Sequence, residues 1–183
     1  MSKSKVKFKE TIIGKIPEDF ERGDDFVKVI SEFLLKECFL LKNNLNVNER
    51  SITHKLAEYI QKYFSDYNVD CEYNRNMTDI KKIKLISEKY ISKTDAKGNT
   101  VSVYPDIIIH KRGNNDSNLI VIEVKKANAD DNSKKFDCEK LKAFTKNDGL
   151  EYKYGIYLEL NENSNDGLKE LKFFRDGAEY NGV

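Results

Sequence analysis

Apolar residues in the first third of the chain recur every three or four positions, which is the spacing of an amphipathic helix. The first such stretch follows Asp24 and Asp25, either of which can act as the N-cap. Its apolar positions are Phe26, Val29, Ile30, Phe33, Leu34 and Leu40. A second stretch extends from about residue 48 to residue 67, with an apolar face formed by Ile52, Leu56, Ile60, Tyr63 and Phe64. We therefore expect two helices before the first strand.

Alternating or continuous apolar runs dominate the rest of the chain and predict strands. The two central runs are rich in isoleucine and valine. The predicted elements are strands at about 69–73, 101–110 and 118–125, a helix at about 134–146, a strand at about 152–160 and an optional strand at about 171–174. This order predicts a mixed α/β layer fold.

The segment between the two central runs has the composition of a hairpin turn, because Gly113, Asn114 and Asn115 all tolerate positive φ angles. A hairpin that is symmetric about the two asparagines brings Asp106 opposite Glu123. Two like charges placed directly opposite each other destabilise a strand pair. A divalent cation between them would remove that penalty.

Both acids lie in apolar surroundings, since Asp106 precedes three isoleucines and Glu123 follows residues 119–122. A charge in such a run is costly to bury unless it is paired, protonated or bound to metal. Strand alternation places Lys125 on the same face as Glu123, and Val124 on the other face. The simpler alternative is a structural salt bridge between Lys125 and one of the acids.

Pro105 and Asp106, followed by Glu123, Val124 and Lys125, match the motif of the PD-(D/E)XK nuclease superfamily. The order of predicted elements over about residues 48–160 also resembles the αβββαβ core of that superfamily. The resemblance implies a restriction-endonuclease-like fold, with a mixed central sheet flanked by helices and with an extra N-terminal helix. It further implies an N-terminal arm and helix over 1–47, packed on a nuclease-like domain over 48–183.

The same resemblance implies a role for each motif residue. Asp106 and Glu123 would bind Mg²⁺ or Mn²⁺, together with the backbone carbonyl of Val124. The metal would activate a water and polarise a phosphate, while Lys125 would orient that water or stabilise developing negative charge. Glu49, at the start of the second helix, is the candidate for a further acidic ligand. An acid in a first helical turn is also favoured by the helix dipole alone.

Four other residues are candidates for substrate contacts. Tyr73 and Arg75 lie close together after the first core strand and suit base stacking and phosphate contact. A core tyrosine and a surface arginine explain them equally well. Lys126 is expected to face solvent or substrate. Lys140 could reach a phosphate from the next helix, although a solvated helix face explains it more simply.

Composition limits the partners that bulk charge can attract. The chain has 32 Lys and Arg against 31 Asp and Glu, a formal net charge of +1, so a polyanion must be held by a local patch or by metal. The three cysteines are far apart and show no metal-ligand spacing. With no signal-peptide pattern and no long apolar stretch, we expect a cytoplasmic protein that does not enter a membrane.

The expected function is hydrolysis of phosphodiester bonds by a metal-dependent nuclease, with DNA favoured over RNA because that is the usual substrate of the superfamily. Two alternatives stay open: a nuclease-like module that binds nucleic acid or protein without cutting, and a subunit that cuts only with a targeting partner. Cutting both strands of a duplex would need a homodimer or two successive events, and the helix over 26–41 is the candidate interface of such a dimer.

Overall fold

A mixed β-sheet with helices on both faces forms the centre of the protein. The computed structural model describes residues 16–73, 75–76, 79–80, 82–83, 101–102, 104–113, 116–146, 150–161 and 167–180. Within these residues the helices are α1 (Gly23–Lys36), α2 (Glu49–Tyr63) and α3 (Asp131–Phe144), with short 3-10 helices at Cys38–Leu41 and Asn43–Leu45. The strands are β1 (Asn68–Cys71), β2 (Arg75–Asn76), β3 (Asp79–Ile80), β4 (Lys82–Ile83), β5 (Val101–Ser102), β6 (Ile107–His110), β7 (Ile120–Lys126), β8 (Tyr154–Leu160), β9 (Leu168–Arg175) and β10 (Ala178–Tyr180). The predicted α/β class is confirmed.

Six of these strands form one sheet within the described residues, in the spatial order β1, β6, β7, β8, β9, β10. The strands β7 and β8 run parallel, and every other neighbouring pair in this sheet is antiparallel. Two parallel neighbours need a crossover connection, and α3 supplies it. The short strands pair separately, β2 with β3 and β4 with β5.

Strand alternation divides the apolar residues of the sheet between two cores. Ile107 and Ile109 of β6 pack in one cluster with residues from α1 and α2, whereas Ile108 packs in another cluster with residues from α3. Because successive side chains of a strand point to opposite faces, α1 and α2 cover one face of the sheet and α3 covers the other. The functional candidates on β7 are thereby held between three helices.

The hairpin of β6 and β7 has the predicted register. Ile107 pairs with Ile122, and Ile109 pairs with Ile120. A shift by one residue would have moved every apolar side chain of β7 to the opposite face. The turn centre at residues 114–115 lies outside the described residues.

The first helix starts earlier and ends earlier than the sequence predicts. Its N-cap is Arg22, without a side-chain cap, so the prediction of an aspartate cap was wrong. Asp25 instead accepts a hydrogen bond of 2.9 Å from Nε of Arg22. The helix ends at Lys36, and the apolar residues of Cys38–Leu41 form a 3-10 turn that buries Leu41.

The apolar face of α1 is used by the core. Its buried apolar residues are Phe26, Val27, Val29, Ile30, Phe33 and Leu34. Leu35 and Phe39 remain 59% exposed. Most of the apolar face of the helix therefore packs in the core, and the homodimer, with the helix over 26–41 as its candidate interface, stays a prediction.

The second helix, α2, is shorter than the predicted span of 48–67. The side chain of Asn48 accepts a hydrogen bond of 2.9 Å from the backbone N–H of Arg50 and caps the start of the helix. At the other end, the amide of Gln61 donates to the carbonyls of Phe64 and Tyr67. These bonds satisfy carbonyls beyond the helix and turn the chain toward β1.

The strand predicted over 101–110 is interrupted, because Val101–Ser102 pairs with Lys82–Ile83 in a separate ladder and only Ile107–His110 joins the main sheet. The optional strand over 171–174 extends to Leu168–Arg175. An unpredicted strand, Ala178–Tyr180, pairs with its end. The remaining core elements differ from the prediction by a few residues at their ends, as is usual for element boundaries.

In the part of the chain that the structure describes, none of the helices has both the length and the apolar character that a bilayer span requires. The thiols of Cys38, Cys71 and Cys138 are free. Residues 1–15, which include most of the predicted N-terminal arm, lie outside the described residues.

Candidate metal centre

Asp106 and Glu123 come from the two strands of the central hairpin. Ile107 and Ile122 pair, so Asp106 and Glu123 occupy the next position outward in the same register. Oδ2 of Asp106 accepts a hydrogen bond of 2.8 Å from the backbone N–H of Val124. This bond ties the Asp106 carboxylate to the backbone of β7, directly beside Glu123.

Glu123 is almost completely buried, with 1% of its surface exposed. Its Oε2 accepts a hydrogen bond of 2.8 Å from Nζ of Lys140 on α3. Its Oε1 is also buried and has no hydrogen-bond partner among the described residues. A buried carboxylate oxygen without a partner is costly, so this oxygen is available to a cation.

The pKa values of both acids are raised in the protein. Burial raises the pKa of the Glu123 carboxyl well above its usual range; the Lys140 ammonium opposes this shift, and the negative charges of Asp106 and Asp137 add to it. Burial likewise raises the pKa of Asp106 to about 6, although the N–H of Val124 stabilises the charged form. The site therefore favours an additional positive charge, whether a proton or a metal ion.

Lys125 reaches from β7 to α3. Its Nζ lies 2.8 Å from Oδ2 of Asp137 and 3.6 Å from Oε2 of Glu49. Burial lowers the pKa of Lys125, but these two carboxylates outweigh it and raise the pKa above its usual value. Lys125 is thus held as a charged ammonium on the same face of the sheet as Glu123.

Lys140 lies between two carboxylates rather than on a solvated face. Its Nζ is 2.8 Å from Oε2 of Glu123 and 3.0 Å from Oδ1 of Asp137. Burial lowers the pKa of Lys140, yet the two acids more than compensate and raise it. The simpler reading of Lys140 as part of a solvated helix face was wrong, because the residue is 8% exposed.

Glu49 connects α2 to the end of β7. Its Oε1 accepts a hydrogen bond of 2.8 Å from the backbone N–H of Lys126. Its Oε2 faces Nζ of Lys125 at 3.6 Å. One carboxylate oxygen is therefore committed to the backbone, and the predicted role of Glu49 as a metal ligand depends on the other.

The remaining substrate-contact candidates have different surroundings. Nζ of Lys126 donates to the carbonyl of Val47 at 3.2 Å, so this partly buried side chain folds back on the start of α2. The ring of Tyr73 lies 5.0 Å from that of His110, at the end of β6 remote from Asp106. Arg75 forms part of the strand β2, and its side chain lies outside the described residues.

Sequence reasoning missed Asp137. The buried residues of α3 are Asp137, Lys140, Leu141 and Phe144. Their spacing of three and four residues defines one helix face, and two of its four positions are charged. Charged residues within the apolar stripe of a helix were the available signal for an internal ion-pair network.

The ion pairs connect these side chains into one network. The chain of contacts is Glu49, Lys125, Asp137, Lys140 and Glu123. Asp106 adds a fourth carboxylate next to Glu123. In this described network the carboxylates outnumber the ammonium groups by two, which is the charge of one divalent cation.

No group of three or more His, Cys, Asp or Glu side chains in the described part of the chain is arranged to hold a metal ion by itself. Mg²⁺ does not need such a cage, because it keeps several waters and binds through one or two carboxylates plus substrate phosphates. Asp106 and Glu123, with the unpartnered Oε1 of Glu123, fit an ion of that kind.

Comparison of the chain with protein-family models, with curated proteins and with solved structures finds no match. Its function must therefore be inferred from the side chains that the fold brings together.

Proposed function

We propose that the protein is a metal-dependent nuclease that hydrolyses phosphodiester bonds, in DNA rather than RNA. One observation carries the proposal: the buried Glu123 carboxylate lies beside Asp106, which bonds the N–H of Val124, and has an oxygen without a hydrogen-bond partner among the described residues. Lys125 supplies a charged ammonium on the same face of the sheet. An acid pair with a neighbouring lysine suits chemistry on a phosphate.

The order of the elements supports the proposal of a restriction-endonuclease-like core. Along the chain, α2 is followed by β1, β6, β7, α3 and β8, which is the order αβββαβ if the short strands β2 to β5 are taken as an excursion between β1 and β6. The three consecutive sheet strands β1, β6 and β7 are antiparallel neighbours, and β8 pairs parallel to β7. A shared fold supports the function only because the site residues accompany it.

Asp106 and Glu123 would hold Mg²⁺ or Mn²⁺, with the carbonyl of Val124 and with Glu49 as the further candidate. When bound, such an ion lowers the pKa of a water and polarises the phosphate. The protein's own contribution is positional. The N–H of Val124 fixes the Asp106 carboxylate, and the ion pair with Asp137 fixes the ammonium of Lys125 on the face of the sheet that carries Glu123.

Substrate binding must use local charge, since the net charge is only +1. Lys125 and Lys140 lie beside the acids, whereas Nζ of Lys126 bonds the carbonyl of Val47. A short run of ammonium groups beside a metal can hold the phosphates adjacent to the scissile bond. The preference for DNA over RNA rests on the resemblance to the superfamily alone.

A second candidate function is a module that binds nucleic acid or a protein partner without cutting. The observation in its favour is the 2.8 Å ion pair from Lys140 to Glu123, which partly neutralises the site without any metal. A subunit that cuts only in the presence of a targeting protein would likewise show no cutting when tested alone.

The deciding experiment is cleavage of plasmid, linear duplex, single-stranded DNA and RNA in the presence of Mg²⁺ or Mn²⁺. Asp106→Asn and Glu123→Gln should each lower the rate by about a hundredfold or more, because each removes a metal-binding charge. Glu139→Gln, on the outer side of α3, is the matched control and should cut like the unaltered protein. Cutting that survives in both site variants contradicts the proposal, and cutting by no protein on any substrate favours the binding module.

A further inference from the structure

Lys140 occupies a position at which a cation is held by two acids. Its Nζ lies 2.8 Å from Oε2 of Glu123 and 3.0 Å from Oδ1 of Asp137. The side chains of Lys140, Glu123 and Asp137 are 10%, 1% and 5% exposed. In the described contacts the ammonium therefore balances acids that water can hardly reach.

The same ammonium would oppose a divalent ion. Glu123 is a predicted metal ligand, and Lys140 already binds one of its two carboxylate oxygens. An ion on Oε1 of Glu123 would bring two positive charges close to Nζ of Lys140 in a site with little water. Like charges at such a separation repel strongly, because the effective dielectric constant is far below that of bulk water.

Lys125 is not the residue that would have to move. Its described ion pairs are with Asp137 and Glu49, at 2.8 and 3.6 Å. Lys140 alone makes a described ion pair with Glu123. The competition between metal and protein cation is therefore concentrated on one side chain.

We propose that Lys140 is a displaceable internal cation: it neutralises Glu123 while the site is free of metal, and a divalent ion drives its ammonium away from Glu123. This inference rests on the proposed nuclease function. Asp137 can retain the ammonium through its own ion pair, and the ring of Phe136, 5.6 Å from Nζ, offers a second favourable contact. Metal loading would thus leave Asp137 as the remaining described ion-pair partner of Lys140.

Calorimetric titration with Mn²⁺, in the absence of nucleic acid, tests the competition. Lys140→Met should bind Mn²⁺ at least about tenfold more tightly than the unaltered protein, because one repelling charge is gone. Lys142→Met is the matched control, since Lys142 lies on the same helix and pairs with the partly exposed Glu139 at 2.8 Å. It should bind Mn²⁺ like the unaltered protein.

The outcomes separate this inference from the proposal on which it rests. Equal or weaker Mn²⁺ binding by Lys140→Met overturns the role of Lys140 and leaves the nuclease proposal intact. Absence of Mn²⁺ binding to every protein overturns both. Tighter Mn²⁺ binding by both lysine variants would show that the gain in affinity comes from the change in net charge. It would also overturn the specific role of Lys140.

A measurement on the unaltered protein covers the case in which Lys140→Met does not fold. Acetic anhydride labels exposed lysine amines, and mass spectrometry reads the extent of labelling at each position. The labelling rate of Lys140 should rise when Mn²⁺ saturates the site, while that of Lys142 should not change. An unchanged rate at Lys140 under saturating Mn²⁺ contradicts the displacement.

Discussion

Lys125 on β7 and Asp137 on α3 form an ion pair of 2.8 Å in which the two side chains are only 13% and 5% exposed. Asp137 also pairs with Lys140 at 3.0 Å, so one carboxylate from α3 orients both lysines of the site. The acids on the hairpin are positioned by the sheet, whereas Asp137 is the one described carboxylate that pairs with both lysines. Asp137 is therefore a positioning residue. It lies on α3, outside the predicted motif.

Replacing Asp137 tests this arrangement. Asp137→Asn removes the charge that two buried ammonium groups share, and we expect a loss of about 3 kcal/mol in the free energy of unfolding. Urea denaturation measures it. Glu139→Gln is the control, because the ion pair of Glu139 with Lys142 is about one-third exposed on both sides and should contribute less than about 1 kcal/mol. Equal losses in the two variants would show that Asp137 is no more than a surface partner.

The metal-free protein should lose stability as the pH rises through the range in which Asp106 ionises. The pKa of Asp106 is raised from 3.8 to about 6, so the folded state holds this proton more tightly than the unfolded state. The resulting stabilisation is fully present below about pH 4 and is lost as the pH rises through about 6. The shift corresponds to about 3 kcal/mol.

Asp106→Asn isolates this contribution, because the amide oxygen can still accept the hydrogen bond from the N–H of Val124. We expect the variant to be more stable than the unaltered protein at pH 8 in the presence of a chelator, and equally stable near pH 4. Thermal unfolding between those pH values measures the difference. Mg²⁺ should restore stability at pH 8 to the unaltered protein only. If the stability of the two proteins changed with pH in the same way, Asp106 would be excluded as the source of the pH dependence.

The hairpin at the centre of the site could be predicted from the sequence because several local signals agree. The isoleucines of residues 107–109 and the apolar run of residues 119–122 fix which faces are buried, and the Gly and Asn residues between them fix where the chain turns. Those constraints leave one register, and the pairing of Ile107 with Ile122 confirms it. The opposition of Asp106 and Glu123 follows from that register.

The α3 half of the site could not be predicted in the same way. A helical pattern shows which residues lie on the same face of a helix. It does not show which other residues that face will contact, because this depends on how the helix packs. Lys140 was read as solvated because an unpaired lysine is almost never buried. Its partner Glu123 lies 17 positions earlier in the chain, and its partner Asp137 lies one helical turn earlier. The strand β10 was missed although Asp176 and Gly177, both with positive φ, carry a turn signal.

Two substitutions of Glu49 should distinguish its structural role from its predicted role as a metal ligand. Glu49→Gln keeps an amide oxygen for the N–H of Lys126, so its stability should stay within about 1 kcal/mol of the unaltered protein, whereas Glu49→Ala should lose about 2 kcal/mol. Chemical denaturation measures both. If Oε2 of Glu49 binds metal, Glu49→Gln should also bind Mn²⁺ more weakly. An unchanged Mn²⁺ affinity in Glu49→Gln would remove Glu49 from the set of ligands.

Gly155 of β8 lies in close contact with the C-terminal end of α3. A Cβ atom there would meet Cβ of Phe174 at 3.1 Å, Cγ2 of Thr145 at 3.2 Å and Cβ of Leu141 at 3.3 Å. These neighbours leave little room for adjustment, so α3 would have to move outward. Gly155→Ala should therefore cost about 1–3 kcal/mol of stability. Urea denaturation measures this loss.

A compensating substitution distinguishes crowding from other effects of the alanine. Thr145→Ser removes the crowded Cγ2 methyl group and keeps the hydroxyl, which donates to the carbonyl of Leu141 at 3.0 Å. The double variant with Gly155→Ala should recover part of the lost stability. Thr145→Ser alone should change stability by less than about 1 kcal/mol. A double variant no more stable than Gly155→Ala would show that Thr145 does not limit the approach of α3 to the sheet.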